Sequence, residues 1–145
     1  MNHQPTTRHL EDILKSIGDT DELKAYINSV NDTIPFDSFI EYFKSLPKTQ
    51  TIVPADLFRL ANLDRAYCYK IWNGKKRPGR DKILAICIAA GLDNDETRRA
   101  LEAGKEPILY SRNTRDAVII YAISQHYDVF KTNELLSEMG LSPLE

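Results

Sequence analysis

Two cysteines, one tryptophan, three histidines and six glycines in 145 residues leave little material for several kinds of chemistry. Cys68 and Cys87 form no CxxC pair and fall inside apolar-periodic segments, so neither a zinc ribbon nor a disulfide framework is expected. They read as buried, reduced thiols that pack as small hydrophobes, which suits a cytoplasm. His3, His9 and His126 show no metal-ligand spacing. The sparse glycines build no phosphate-cradling loop, and no Ser-His-Asp or Cys-His arrangement can be located, so neither an enzyme nor a cofactor is expected. Long apolar runs are missing too: Ile83–Ala90 is the longest, against about 20 residues for a membrane span. The N-terminal MNHQPTTRHLED lacks the apolar centre of a signal peptide. A cytoplasmic protein with no membrane association is therefore expected. Sustained strand alternation, internal repeats and low-complexity tracts are also lacking.

What is present is ordinary in bulk and uneven in distribution. With 42% hydrophobic and 28% charged residues, the composition is that of a soluble globular chain, sized for one compact domain or a small domain with helical extensions. The net charge is −2 and the pI about 5.9, which argues against polyanion binding through bulk charge. Between Arg59 and Lys82, however, eight basic residues (Arg59, Arg65, Lys70, Lys75, Lys76, Arg77, Arg80, Lys82) face two acidic ones (Asp64, Asp81), a local +6 that leaves −8 for the rest. Any nucleic-acid affinity must reside in that patch.

Hydrophobic periodicity organises the chain into about eight helices. Leu10, Ile13, Leu14 and Ile17 share one helical stripe that stops at Gly18, and Leu23, Tyr26, Ile27 and Val30 form a second behind the capping candidates Asp19 to Asp21. Pro35 opens a third with Phe36, Phe39, Ile40 and Phe43, closed by Pro47. Lys48–Val53 is polar and β-tending. Pro54 then suits the first turn of a helix with Leu57, Leu60 and Ala61, and Asp64 caps a second short helix reaching Asn73, where Gly74 can turn left-handed. After the breaker KKRPG, the apolar run Asp81–Ala90 reads as a central buried helix ending at Gly91. DNDETRRALEAG supplies the next, with Asp93, Asp95 and Glu96 as helix-start charges and Gly104 at its end. Ala117–Ile123 could pass for a buried strand, but Asp116 as a start signal and Gln125-His126 as polar continuation favour a helix. Asp128–Met139, stopped by Gly140, gives the last. Phe58 and Trp72 are placed to pack on each other.

The turn hydrophobe Leu63, the cap Asp64, the interior Cys68 and Ile71, the end glycine Gly74, the basic loop with Pro78 and the following helix ending at Gly91 together resemble the phage-repressor-type (Cro/repressor, XRE-like) helix-turn-helix domain over residues 36–103. The full chain is similar to a bacterial helix-turn-helix group of unassigned role whose tail carries LY…RDA, here Leu109-Tyr110 and Arg115-Asp116-Ala117. The resemblance implies an all-α fold: a five-helix repressor-type core at 35–104, an N-terminal helical extension at 1–34, and a C-terminal helical pair at 105–145 packed on the core or forming a dimer interface. It also implies sequence-specific binding of double-stranded DNA by a homodimeric bacterial transcription regulator. By position, Arg65, Ala66, Tyr69 and Lys70 would contact base edges from the exposed face of their helix, while Asn73, Lys75, Lys76 and Arg77 would contact phosphates, the last three from a flexible loop. Four positions depart from the pattern. Pro54 stands where a phosphate-contacting glutamine is usual, Phe58 replaces a small residue, Asn62 replaces the turn glycine and tolerates the same left-handed geometry, and Trp72 occupies a site where Glu is frequent. An alternative function is therefore a protein-interaction adaptor that keeps the fold without DNA and engages a protein partner through its helical extensions.

Overall fold

The computed structural model describes residues 15, 16, 18–24 and 38–145, and divides the chain into two compact units, residues 1–35 and 36–145. In the first unit, residues 20–24 are helical behind Asp19, whose Oδ1 accepts from the Glu22 amide at 2.7 Å. The remainder of the helices expected over Leu10–Ile17 and Asp19–Val30 lies outside the described residues.

The second unit contains seven α-helices and one 3-10 helix: α1 (Phe39–Ser45), the 3-10 turn Pro47–Thr49, α2 (Pro54–Leu60), α3 (Arg65–Trp72), α4 (Arg80–Ala89), α5 (Asn94–Ala103), α6 (Thr114–Ser124) and α7 (Val129–Glu138). No strand occurs among the described residues. Local capping explains most boundaries. Asp64, Asp93, Asn113 and Asp128 each accept a hydrogen bond from the backbone three residues ahead, and Asp93 with Glu96 closes a reciprocal capping box. Two expectations are adjusted. The helix carrying Phe39, Ile40 and Phe43 starts at Phe39, because extended Ser38 caps it by accepting from the Glu41 amide; the expected start at Pro35 lies outside the described residues. The polar run after Lys48 is a turn through Thr51 and extended only at Val53: the Thr49 hydroxyl donates to Leu46 O at 2.9 Å and holds its first part in that turn.

Helix α4 is the hub. Ile83 through Ile88 are buried on every side of it, and it packs on α2, α5 and α7. Gly104, after α5, makes that packing possible, since a Cβ there would collide with Cδ1 of buried Ile83. The left-handed residue at this turn is Lys105 (φ 58°), not the glycine. From the C-terminal pair, Val118, Ile119, Ile123, Val129 and Leu136 enter the same buried cluster as the α1–α5 side chains.

Two reciprocal ion pairs bind the tail to α4. Arg80, its first residue, donates from both Nη atoms to the two Asp116 carboxylate oxygens at 2.9 and 2.8 Å, and to Pro107 O and Ile108 O. Arg115 does the same to Asp81 at 3.1 and 2.9 Å, and to Ser142 O and Pro143 O. Thus one Arg-Asp dipeptide is cross-paired with another, and the planar guanidinium fork matches each carboxylate in two-point geometry. Burial pushes both carboxyls up. Hydrogen bonds from Arg115 and the Glu145 amide to Asp81, and from Arg80 and the Tyr110 amide to Asp116, outweigh it and hold both below the usual 3.8.

Groups whose folded pKa lies below the unfolded value contribute fully above the unfolded value, and that contribution disappears as pH falls through the folded one. The protein should therefore lose stability steeply below about pH 4, in the carboxylate range. Asp116→Asn should cost about 3 kcal/mol at pH 7, by stranding Arg80 in a partly buried site, and should flatten the acid limb. Urea unfolding at pH 7 and pH 3 measures both effects; an unchanged midpoint at pH 7 would contradict the assigned role of the pair.

Candidate nucleic-acid interface

Helix α3 is held by its caps and its apolar underside. Asp64 accepts from the Tyr67 amide at 2.9 Å, Cys68 and Ile71 are buried, and Asn62 supplies the left-handed turn before it (φ 57°). At its end Gly74 (φ 74°) allows the Lys75 amide to reach Lys70 O at 2.8 Å and its own amide to reach Ile71 O at 3.0 Å, the paired closure of a Schellman motif. Both cysteines are free and buried, and burial pushes the Cys68 thiol up to about 11.

Two aromatic rings from other helices, Phe58 and Phe43, brace α3 through its own Tyr69 and Trp72. Phe58 of α2, 2% exposed, meets Tyr69 edge-on at 5.2 Å and Trp72 edge-on at 6.2 Å, and Trp72 also meets Phe43 at 6.2 Å. The expected Phe58–Trp72 contact is thus present. Lys44 adds a clasp, with its Nζ donating to Trp72 O at 2.7 Å and lying 4.6 Å from the indole centroid.

Above this brace, Arg65, Ala66, Lys70, Asn73, Lys75, Lys76 and Arg77 are exposed and form one surface with the loop after α3. Tyr69 departs from the expected exposed face: its ring is half-buried against Phe58, since packing an edge on an aromatic face removes more apolar area than solvent exposure would. The loop is not free either. The Lys75 and Lys76 amides both donate to Lys70 O, and Pro78 is buried, so the three loop cations are carried on a pinned backbone. Arg80 is withdrawn from the basic surface by Asp116. The N-terminus of α2 presents Val53, 56% exposed, and Pro54, which has no amide hydrogen to donate.

Two cations outside the expected set belong to the neighbourhood. Lys82, half-buried on α4, lies over the Tyr67 ring at 5.8 Å, and Lys76 lies over the same ring at 5.1 Å. Arg65 lies over Tyr69 at 5.6 Å. Lys82 was legible as the last member of the basic run. Lys44 carried no signal, because only the fold brings α1 to the end of α3. Lys44, Trp72, Lys76 and Arg77 border a groove of about 560 Å³ beside that end.

Comparison with protein-family models, curated proteins and solved structures finds no match. Among the described residues, no group of three His, Cys, Asp or Glu side chains could hold a metal ion, and no helix is long and apolar enough to cross a membrane. The chemistry that the surface offers is cationic and hydrogen-bonding.

Phe58→Ala should cost about 3–5 kcal/mol, since it empties a buried aromatic site. It should also shift the emission of Trp72, the only tryptophan, to longer wavelength. Chemical unfolding followed by fluorescence and by far-UV circular dichroism tests both. Unchanged emission would show that Phe58 does not brace α3.

Proposed function

We propose that α1–α5 form a repressor-type helix-turn-helix core and that the protein binds double-stranded DNA sequence-specifically, as a homodimeric bacterial transcription regulator. The observation that carries this reading is the exposure of Arg65, Lys70, Lys75, Lys76 and Arg77 together on a short helix and its pinned loop, in a chain otherwise net acidic. An α-helix with its side chains is about 10–12 Å across, which matches a major groove about 12 Å wide, and eight residues give it about 12 Å of length. Arg65, in the first turn, and Lys70 are the base-edge readers, with Ala66 beside them against a thymine methyl. Tyr69 contributes its exposed edge only. Asn73, Lys75, Lys76 and Arg77 hold phosphates and set the register.

The adaptor reading draws support from a different observation. The helix preceding α3 begins at Pro54, so its first residue offers a phosphate neither an amide nor a side-chain donor, and the brace under α3 consumes part of the reading face. Binding measurements separate the two. Replacing Lys75, Lys76 and Arg77 together by Ala should weaken selected and scrambled duplexes alike and reduce the salt slope by about 0.9 for each phosphate no longer neutralised. Arg65→Ala should cost about 1–3 kcal/mol on the selected site and little on the scrambled one. If neither variant, properly folded, moves either curve, DNA binding is excluded and the adaptor reading stands.

No histidine lies on α3 or in the loop that follows. Binding should therefore respond far more to salt than to pH between 6 and 8, the range in which histidine is the usual switch. Titrations at constant ionic strength across that range provide the check.

A further inference from the structure

The most exposed large apolar side chain among the described residues is not on the cationic surface. It is Phe130, 77% exposed in the first turn of α7. A phenylalanine left this open on a terminal helix, with Leu60 of α2 also 51% exposed beside it, is a poor arrangement for an isolated monomer. Phe130 borders a depression of about 670 Å³ lined by Leu60 and otherwise by polar and charged residues, among them Arg59, Asp128, Asn133, Glu134 and Ser137. Protrusion and hollow therefore lie next to each other on one patch. That is the shape requirement of an isologous contact, in which the knob of each copy fills the hole of the other.

One pair of opposite charges on the exposed face of α7 meets the same requirement, against one pair of like charges, Asp128 and Glu138, that the same two-fold axis would bring level. Lys131 and Glu134 are both exposed, and the Lys131 ammonium lies 4.2 Å from the Tyr127 ring centroid. In an antiparallel pairing of two α7 helices, residues equidistant from the two-fold axis and on opposite sides of it lie level with each other. Lys131 and Glu134 are centred between positions 132 and 133, and Phe130 and Ser137 between positions 133 and 134. The two centres differ by one residue, about 1.5 Å along the helix, so a single axis serves both. We propose that two copies of this chain associate through α7 about that axis, with Phe130 of each entering the Leu60–Ser137 hollow of the other and Lys131 of each pairing with Glu134 of the other. The opposite charges fix the antiparallel register, and the aromatic anchor supplies the affinity. This proposal stands apart from DNA binding, because the association needs no nucleic acid and is read without it.

Sedimentation equilibrium of the full chain without DNA tests it. The wild type should form dimers in the micromolar range, and Phe130→Ser should raise the dimer dissociation constant by tenfold or more while leaving the circular dichroism spectrum intact. Lys131→Glu and Glu134→Lys should each weaken self-association. An equimolar mixture of these two variants should dimerise again, because in the mixed dimer both contacts once more join opposite charges. A wild type still monomeric at about 100 µM, corresponding to less than roughly 5.5 kcal/mol of association free energy, would overturn the proposal. So would a dimer indifferent to Phe130→Ser, which would place the interface elsewhere, or a variant mixture that fails to pair.

Discussion

The pairing of Arg80-Asp81 with Arg115-Asp116 is the constraint on which the arrangement of this unit rests. Each aspartate lies in the first turn of its own helix, where a carboxylate is favoured by the unpaired amides, and each also receives the two-point fork of the other helix's arginine. The remaining guanidinium donors are taken by carbonyls of Pro107, Ile108, Ser142 and Pro143, so the same two side chains fasten the linker after α5 and the chain end after α7. Arg80 follows directly on the basic loop. Fixing it fixes where that loop ends.

The clamp also sorts the charges of the basic segment. Ion-paired Arg80 serves the fold, while Arg65, Lys70, Lys75, Lys76 and Arg77 remain exposed. The aromatic brace makes a similar division on α3 itself. Tyr69 and Trp72 turn toward Phe58 and stiffen the helix, and the cations stand around Tyr67 and Tyr69, whose ring faces favour positive charge. The helix is stiffened, and Tyr69 and Trp72 are less open to solvent than the cations beside them.

Features set by neighbours in sequence were legible before the fold was known. Asp64, Asp93 and Asp128 as helix starts, Gly74 as a left-handed end, Gly91 as a helix stop, and Asn62 as the turn residue all depend on contacts within a few residues. The strand-like Ala117–Ile123 is helical, as its flanks indicated. Legibility failed where a local signal had a competitor. Pro35 suited a helix start, but the helix carrying Phe39 and Phe43 begins behind Ser38, which provides a side-chain cap that proline lacks. Lys75–Arg77 looked like a free loop because the two amides that bind Lys70 O and the burial of Pro78 leave no mark in a string of cations and a proline.

The sequence by itself determined that this chain is helical, where most of its helices begin and end, and that its positive charge is concentrated around α3, because periodicity, caps and charge are properties of adjacent residues. Tertiary structure alone decided which charges remain available and which faces are covered. Arg80 meets Asp116 across 36 positions, Lys44 meets Trp72 across 28, and Tyr69 turns inward only because Phe58 is there to receive it. Residues so far apart have independent positions in an unfolded chain. Only burial of the shared core, with α4 at its centre, brings them within hydrogen-bonding or van der Waals range.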